Sequence, residues 1–334
     1  MLIRKPSYFD TFRCIAGECP DSCCKEWDVQ VDAAAAARYR SLPGDLGDRL
    51  RKVLYNEDGE TYMAIVDGRC PMWRKDGLCR IQAELGEGAL CKTCREFPRL
   101  THDYGDFIEY GLELSCPEAA RIIFSTPDAR LVTREVPGGE DHEYDVEAMD
   151  SLKVSRQVTL LLLADTRRPV NETLALMLLY GYEAQTDLDG GESRPLNPHQ
   201  ALESAREFAK PGNVQEILDF FHELEILTPQ WKQRLDNPSP AGLPENLRIL
   251  AKYMVERYWL QAVSDYDLVS RVKFILISCL LVAQLGGDLV STAQLFSKEI
   301  ENSIDNVEAI LDAAYAHPAF TDDKLLGMLL HQSF

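Results

Sequence analysis

The cysteines constrain this chain more than any other feature. Nine of its ten cysteines stand at positions 14, 19, 23, 24, 70, 79, 91, 94 and 116 of 334 residues, in short-spaced sets flanked by Pro, Asp and Gly. Cysteine used as a small buried hydrophobe scatters along a chain instead. Thiolates hold zinc at about 2.3 Å, and pairs separated by about two to four residues let a chain wrap a small tetrahedral or cubane centre. Cys14 and Cys19 enclose four residues, Cys19 and Cys23 three, and Cys91 and Cys94 two. We read the series as metal ligands. Cys19, Cys23, Cys70, Cys79, Cys94 and Cys116 rank first, then Cys91, Cys24 and Cys14.

All-cysteine ligation suits tetrahedral zinc and an iron–sulfur cluster alike, and no histidine pair at zinc-finger spacing accompanies these residues. The nearest histidine, His102, reads as a surface residue of a hairpin. Adjacent Cys23 and Cys24 do not easily point the same way, so they imply one ligand plus one core thiol, or two neighbouring centres. A Cys-x3-Cys-x2-Cys run is absent, because Glu26 stands where its third cysteine would fall. The tenth cysteine, Cys279, lies in an apolar helical stretch and is expected in the core.

Charge and hydropathy narrow the class further. No apolar run of signal-peptide length opens the chain, so the expected compartment is the cytoplasm, where clustered cysteines bind metal or react rather than pair. The most apolar window, residues 272–285, contains Lys273, Ser278 and Gln284, too short and polar to span a bilayer. The formal charge of −19 is uneven: residues 1–125 carry 17 Lys and Arg against 21 Asp and Glu, and residues 126–334 carry 18 against 33. Such a surface repels nucleic acid. It suits a cationic, lysine-bearing partner, or simply solubility.

The expected architecture is mainly α. A loop-rich cysteine domain with a small β-hairpin spans residues 1–125, and an acidic, irregular helical bundle spans residues 126–334. Tyr8, Phe9 and Phe12 are expected to form an aromatic lid on the cysteine region. Alternation over residues 27–32 predicts a short strand, and Asp32 is placed to cap the alanine-rich helix that follows. A helix is expected over residues 46–55 and a strand over 61–66. Residues 99–102 and 106–114 flank Asp103-Tyr104-Gly105 as a hairpin, and Pro117 opens a helix. Residues 125–146, polar and broken by Pro127, Pro137, Gly138 and Gly139, are the candidate boundary. Beyond them helical periods recur to residue 330, the segment 173–184 with Asn171 as its expected cap.

The motifs Cys14 to Cys24, Trp27-Asp28-Val29-Gln30-Val31-Asp32, Gly77-Leu-Cys79-Arg-Ile81, Leu85-Gly86-Glu87, Cys91-Lys-Thr-Cys94, Phe97-Pro98-Arg99 and Leu114-Ser-Cys116-Pro-Glu-Ala-Ala-Arg121 resemble the flagellin lysine-N-methylases. The resemblance covers residues 8–124, with Glu26 and Trp73 departing from the pattern. A shorter part is similar to the small zinc- or iron-chelating, YkgJ-like domains. The resemblance implies a methyl transfer from S-adenosylmethionine to lysine ε-amines of flagellin and an iron–sulfur cluster, of the [4Fe–4S] kind, in the cysteine region.

The residues themselves say less. No glycine-rich strand–turn–helix fingerprint of a Rossmann-type site is present. A lysine amine, with a pKa of about 10.4, must lose its proton before it can attack. Tyr104, Glu109, Tyr110 and Glu113 stand near the cysteines and offer themselves for that step, and each also reads as an ordinary hairpin residue. The alternative reading is a non-catalytic metal-binding sensor or interaction protein, and a weaker third is an electron-transfer or maturation protein.

Overall fold

The computed structural model describes residues 1–21, 23, 29–139, 141–240 and 242–331. Among the described residues seven short strands lie in or beside the first third: β1 (Leu2–Pro6), β2 (Val29–Gln30), β3 (Leu54–Glu57), β4 (Glu60–Met63), β5 (Arg99–Asp103), β6 (Phe107–Leu112) and β7 (Leu131–Glu135). They form a four-stranded sheet in the order β5-β6-β1-β7 and a three-stranded sheet in the order β2-β4-β3. The remainder is helical, so the mainly α architecture with a small hairpin and a helical bundle is the observed one.

The β5–β6 hairpin forms as its sequence dictates. Asp103 Oδ1 accepts the Gly105 N–H at 2.9 Å, and Gly105 holds a positive φ of 89° where a Cβ would press on the backbone of Asp141 at 2.8 Å. Register pairs His102 with Glu109 and Arg99 with Leu112. Phe107, Glu109 and Leu112 are buried, the first two on one face of the strand and Leu112 on the other. Asp32 is indeed an N-cap, accepting the Ala35 N–H at 3.0 Å ahead of the helix Ala33–Ser41.

Several local expectations are corrected. The first residues form β1, which pairs parallel with β6 and antiparallel with β7. The stretch read as a broken boundary therefore contains a paired strand. Its alternation is hidden because four of five β7 residues are exposed. The helix expected to reach residue 55 is Gly44–Val53 and gives way to β3, which turns through Asp58 and Gly59, both at positive φ, into β4. Asn171 does not cap its helix: Val170–Leu188 starts behind Pro169, and the Asn171 amide donates to Leu329 O at 3.0 Å.

The bundle is organised on the helix Leu268–Leu285, which is long and apolar enough by composition to cross a membrane but has 94% of that stretch buried inside the protein. It begins four residues before the apolar window, at the expected place, because Asp267 caps it by accepting the Ser270 N–H at 3.1 Å. Its one buried lysine, Lys273, is matched by Ala314 O, Phe320 O and the Asp322 carboxylate at 2.9–3.1 Å. Gly181 of Val170–Leu188 allows the two helices to approach, since a Cβ there would lie 2.9 Å from the Val272 side chain.

Apolar residues gather in two cores. The larger runs from Tyr8 to Leu329 and joins the four-stranded sheet to the bundle, whereas the smaller, from Val29 to Cys91, lies under the three-stranded sheet. Tyr8 and Phe12 belong to the larger core, which also holds Cys116, and Phe9 packs on Tyr110, so the aromatic set anchors the chain's start to the bundle.

Candidate metal centre

Seven of the described cysteines separate into two sets. Cys14, Cys19 and Cys116 form the first: the proton affinity of the Cys116 thiol is pushed up to about 11 by burial, with Cys19 and Cys14 adding to it. Each sulfur of this set faces backbone amides. Cys14 Sγ accepts the Ala16 N–H at 3.4 Å, in a turn where Ala16 takes a positive φ of 47°. The Asp21 amide faces Cys19, opposing the upward push of burial. Cys116 is the N-cap of the helix Pro117–Ser125, and the amides of Glu118 and Ala119 in its first turn oppose the upward push of burial on its thiol.

Cys70, Cys79, Cys91 and Cys94 form the second set, lining the smaller core. Cys79 stands at the N-cap of Arg80–Leu85, and Cys91 at that of Lys92–Glu96. The Cys91 thiol is drawn down to about 7 by hydrogen bonding from Cys94, side chain first and then amide, against the cost of burial. Asp32 serves this turn too: its Oδ2 accepts the Lys92 N–H at 2.7 Å while Oδ1 caps the alanine helix. Cys70 Sγ lies 3.4 Å from Met63 Sδ.

The two sets are neighbours through their loops. Gly17 lies against the turn that precedes Cys79: a Cβ on Gly77 would stand 3.4 Å from Gly17 Cα, and one on Gly17 would stand 3.0 Å from Asp76 O. Cys23 is exposed, and Cys24, with Glu26, Trp27 and Asp28, lies outside the described residues. Among the described residues no three Cys, His, Asp or Glu side chains gather closely enough to hold one ion. The donor chemistry nevertheless fits a thiolate-bound group, because amides aimed at sulfur favour the thiolate and tune a bound metal or cluster. Cys279 is fully buried in the apolar helix, as expected.

The bundle holds the first set from three directions. Gln294 donates to Ser115 O at 2.6 Å, the Leu114 N–H donates to the Tyr253 hydroxyl at 3.3 Å, and Lys298 pairs with Asp21 at 3.1 Å. Behind them lies a buried polar cluster. Glu301 accepts from the hydroxyls of Tyr253 and Tyr258 at 3.1 and 2.9 Å and pairs with Arg257 at 3.3 Å. Sequence reasoning missed this cluster, because Arg257 shares its helix with Arg248, Lys252 and Glu256, and Glu301 follows Lys298 and Glu299, so only tertiary packing sets these residues apart.

The four hairpin residues near the cysteines meet different fates. Glu109 is buried and clamped by both terminal nitrogens of Arg156 at 2.7 Å, which hold its carboxyl below the usual range despite burial. Tyr104 stacks on Phe107 and its phenol is raised by burial, while Tyr110 packs against Phe9. Glu113 stays partly exposed, raised chiefly by burial, with Ser115 Oγ donating to it at 3.0 Å. His102 is only partly exposed: its Nε2 is buried with no hydrogen-bond partner among the described residues, and burial followed by Arg257 lowers its proton affinity. Among the described residues β1 with β6 is the one parallel strand pair, in keeping with the absence of a Rossmann-type fingerprint.

Comparison with known proteins decides the kinship. The chain is 33% identical over 135 residues to the flagellar biosynthetic protein FliU of Salmonella muenchen, a match that takes in 79% of FliU and 38% of this chain. It belongs to the FliU and lysine-N-methylase family. The lysine-N-methylases of Salmonella typhimurium strain LT2 and Salmonella choleraesuis strain SC-B67 are each 32% identical over 141 residues, which is 40% of this chain and 35% of theirs. The chain thus matches about a third of the length of those two family members. No family model and no solved structure matches it.

Proposed function

We propose that this chain is a cytoplasmic protein lysine N-methylase that takes its methyl group from S-adenosylmethionine, acts on flagellin, and carries an iron–sulfur cluster of the [4Fe–4S] kind. The kinship with proteins named lysine-N-methylase carries the reading. Cys14, Cys19, Cys23, Cys24, Cys70, Cys79, Cys91, Cys94 and Cys116 are the proposed ligand pool, zinc being the other metal that such a donor set accepts. A cluster there would supply a redox-capable cross-link between loops. The chain's own part is to position the sulfurs: the amides of Ala16, Asp21, Glu118 and Ala119 partly offset the cost of burying a thiolate in the first set, and Gln294, Tyr253 and Lys298 fix its loops to the bundle.

In the transfer, the lone pair of the neutral lysine nitrogen forms a bond to the sulfonium methyl carbon. The carbon–sulfur pair leaves with sulfur as a thioether, and the displaced proton passes to a base or water. The excess of acid beyond residue 125 supports a lysine-bearing protein as substrate and opposes a nucleic acid.

The test is incubation of anaerobically prepared protein with S-adenosylmethionine and flagellin, with methylated lysines read by peptide mass spectrometry. Methylation that is lost in a Cys94→Ser variant supports the proposal. No methylation, together with no thermal stabilisation by S-adenosylmethionine, overturns it in favour of a non-catalytic metal-binding interaction protein.

A further inference from the structure

Glu113, three residues before Cys116, differs from the paired acids around it. Glu109 is spent on Arg156, Glu301 on Arg257 and two tyrosines, Glu118 on Arg121, and Asp21 on Lys298. No cation among the described residues comes within ion-pair distance of Glu113, and its one side-chain hydrogen bond is from Ser115 Oγ. The charged groups that reach it through space are Arg257 and Glu301, which offset each other because they are already paired. A carboxylate held half out of water beside a neutralised pair gains most from a small cation with N–H donors. Its place is fixed: the Glu113 N–H donates to Pro98 O at 2.7 Å, Leu114 is held by Tyr253, and Ser115 is held by Gln294. It remains partly exposed, so a side chain from another protein can reach it.

We propose that Glu113 is the acceptor for the ε-ammonium of an incoming lysine, with Ser115 Oγ orienting its carboxylate beside the Cys14, Cys19 and Cys116 set. This rests on the lysine-N-methylase reading for its biological meaning, but its binding chemistry is tested apart from methyl transfer. Arg257, Tyr253 and Glu301 do not touch the ammonium in this arrangement. They neutralise the floor of the site so that Glu113 is the acceptor that remains.

The test compares a fluorescent lysine-bearing peptide with the same peptide carrying norleucine, titrated by anisotropy into the full chain and into Glu113→Gln and Glu113→Asp. The wild type should prefer lysine by about tenfold, the factor expected of one charge-assisted hydrogen bond. Glu113→Gln should fall to within about twofold of no preference, and Glu113→Asp should recover part of it. Iron content and thermal midpoint in each variant report whether the site is otherwise intact. A wild type without preference, or a Glu113→Gln protein that keeps it, overturns the inference. Methylation that persists with an unchanged KM in Glu113→Gln overturns it while leaving the methylase reading intact. Lysine preference that depends on Glu113 without any methylation does the reverse.

Discussion

Arg156 and Glu109 show how one pair can join two parts of the chain. The clamp at 2.7 Å ties the hairpin to the helix Val146–Ala164, and both side chains are buried. Arg156→Leu leaves the Glu109 carboxylate with only the more distant Arg4, at 3.4 Å, and should cost about 3–5 kcal/mol in chemical denaturation. Glu256 carries the opposite signature. Burial pushes its carboxyl up to about 7, with Lys252 and Arg156 only partly opposing. Since the folded value lies above the unfolded one, this group's contribution is most favourable below about pH 4.3 and is lost as pH rises toward 7. Glu256→Gln should therefore gain on the order of 2 kcal/mol over the wild type at pH 7.5 and nothing at pH 4. Equal stabilities at both pH values would contradict this. Neither behaviour was legible beforehand, because a glutamate on a hairpin and one on a helix read alike until packing decides which meets an arginine.

The elements were read best where a local signal governs them. Asp103-Tyr104-Gly105, Pro117 and Asp32 act through their own backbone neighbours, and the hairpin, the helix start and the cap are all present. β1 and β7 escaped because their pairing is long-range and their pattern mostly exposed. Asp32 also does more than its sequence position implied, capping the alanine helix and the Cys91 turn with one carboxylate. Asp32→Ala should cost about 1–2 kcal/mol and raise the reactivity of Cys91 and Cys94 toward alkylating reagents. In the bundle, Gly181→Ala gains up to about 1 kcal/mol in helix propensity yet drives a methyl into Val272. Net destabilisation by about 1 kcal/mol in thermal melts is expected, and Gly181→Leu should be worse.

The whole molecule is a helical bundle that grips a thiol-bearing face. The cysteines announced that face in the sequence, because their spacing is a covalent fact, but the division into two sets and the hold of Gln294, Tyr253 and Lys298 on the first depend on residues far apart in the chain. Lys298→Ala should leave the helical content unchanged while lowering metal retention during dialysis against a chelator, since it removes the ion pair that joins Asp21 of the first loop to the bundle. Cys279→Ser should not alter metal content, because that thiol belongs to the bundle core. The most direct test is analysis of iron, acid-labile sulfide and zinc in the protein purified without oxygen, with its visible absorption. About four irons and four sulfides per chain and a brown protein are predicted. A colourless protein with stoichiometric zinc would contradict the cluster and leave the cysteines a structural role.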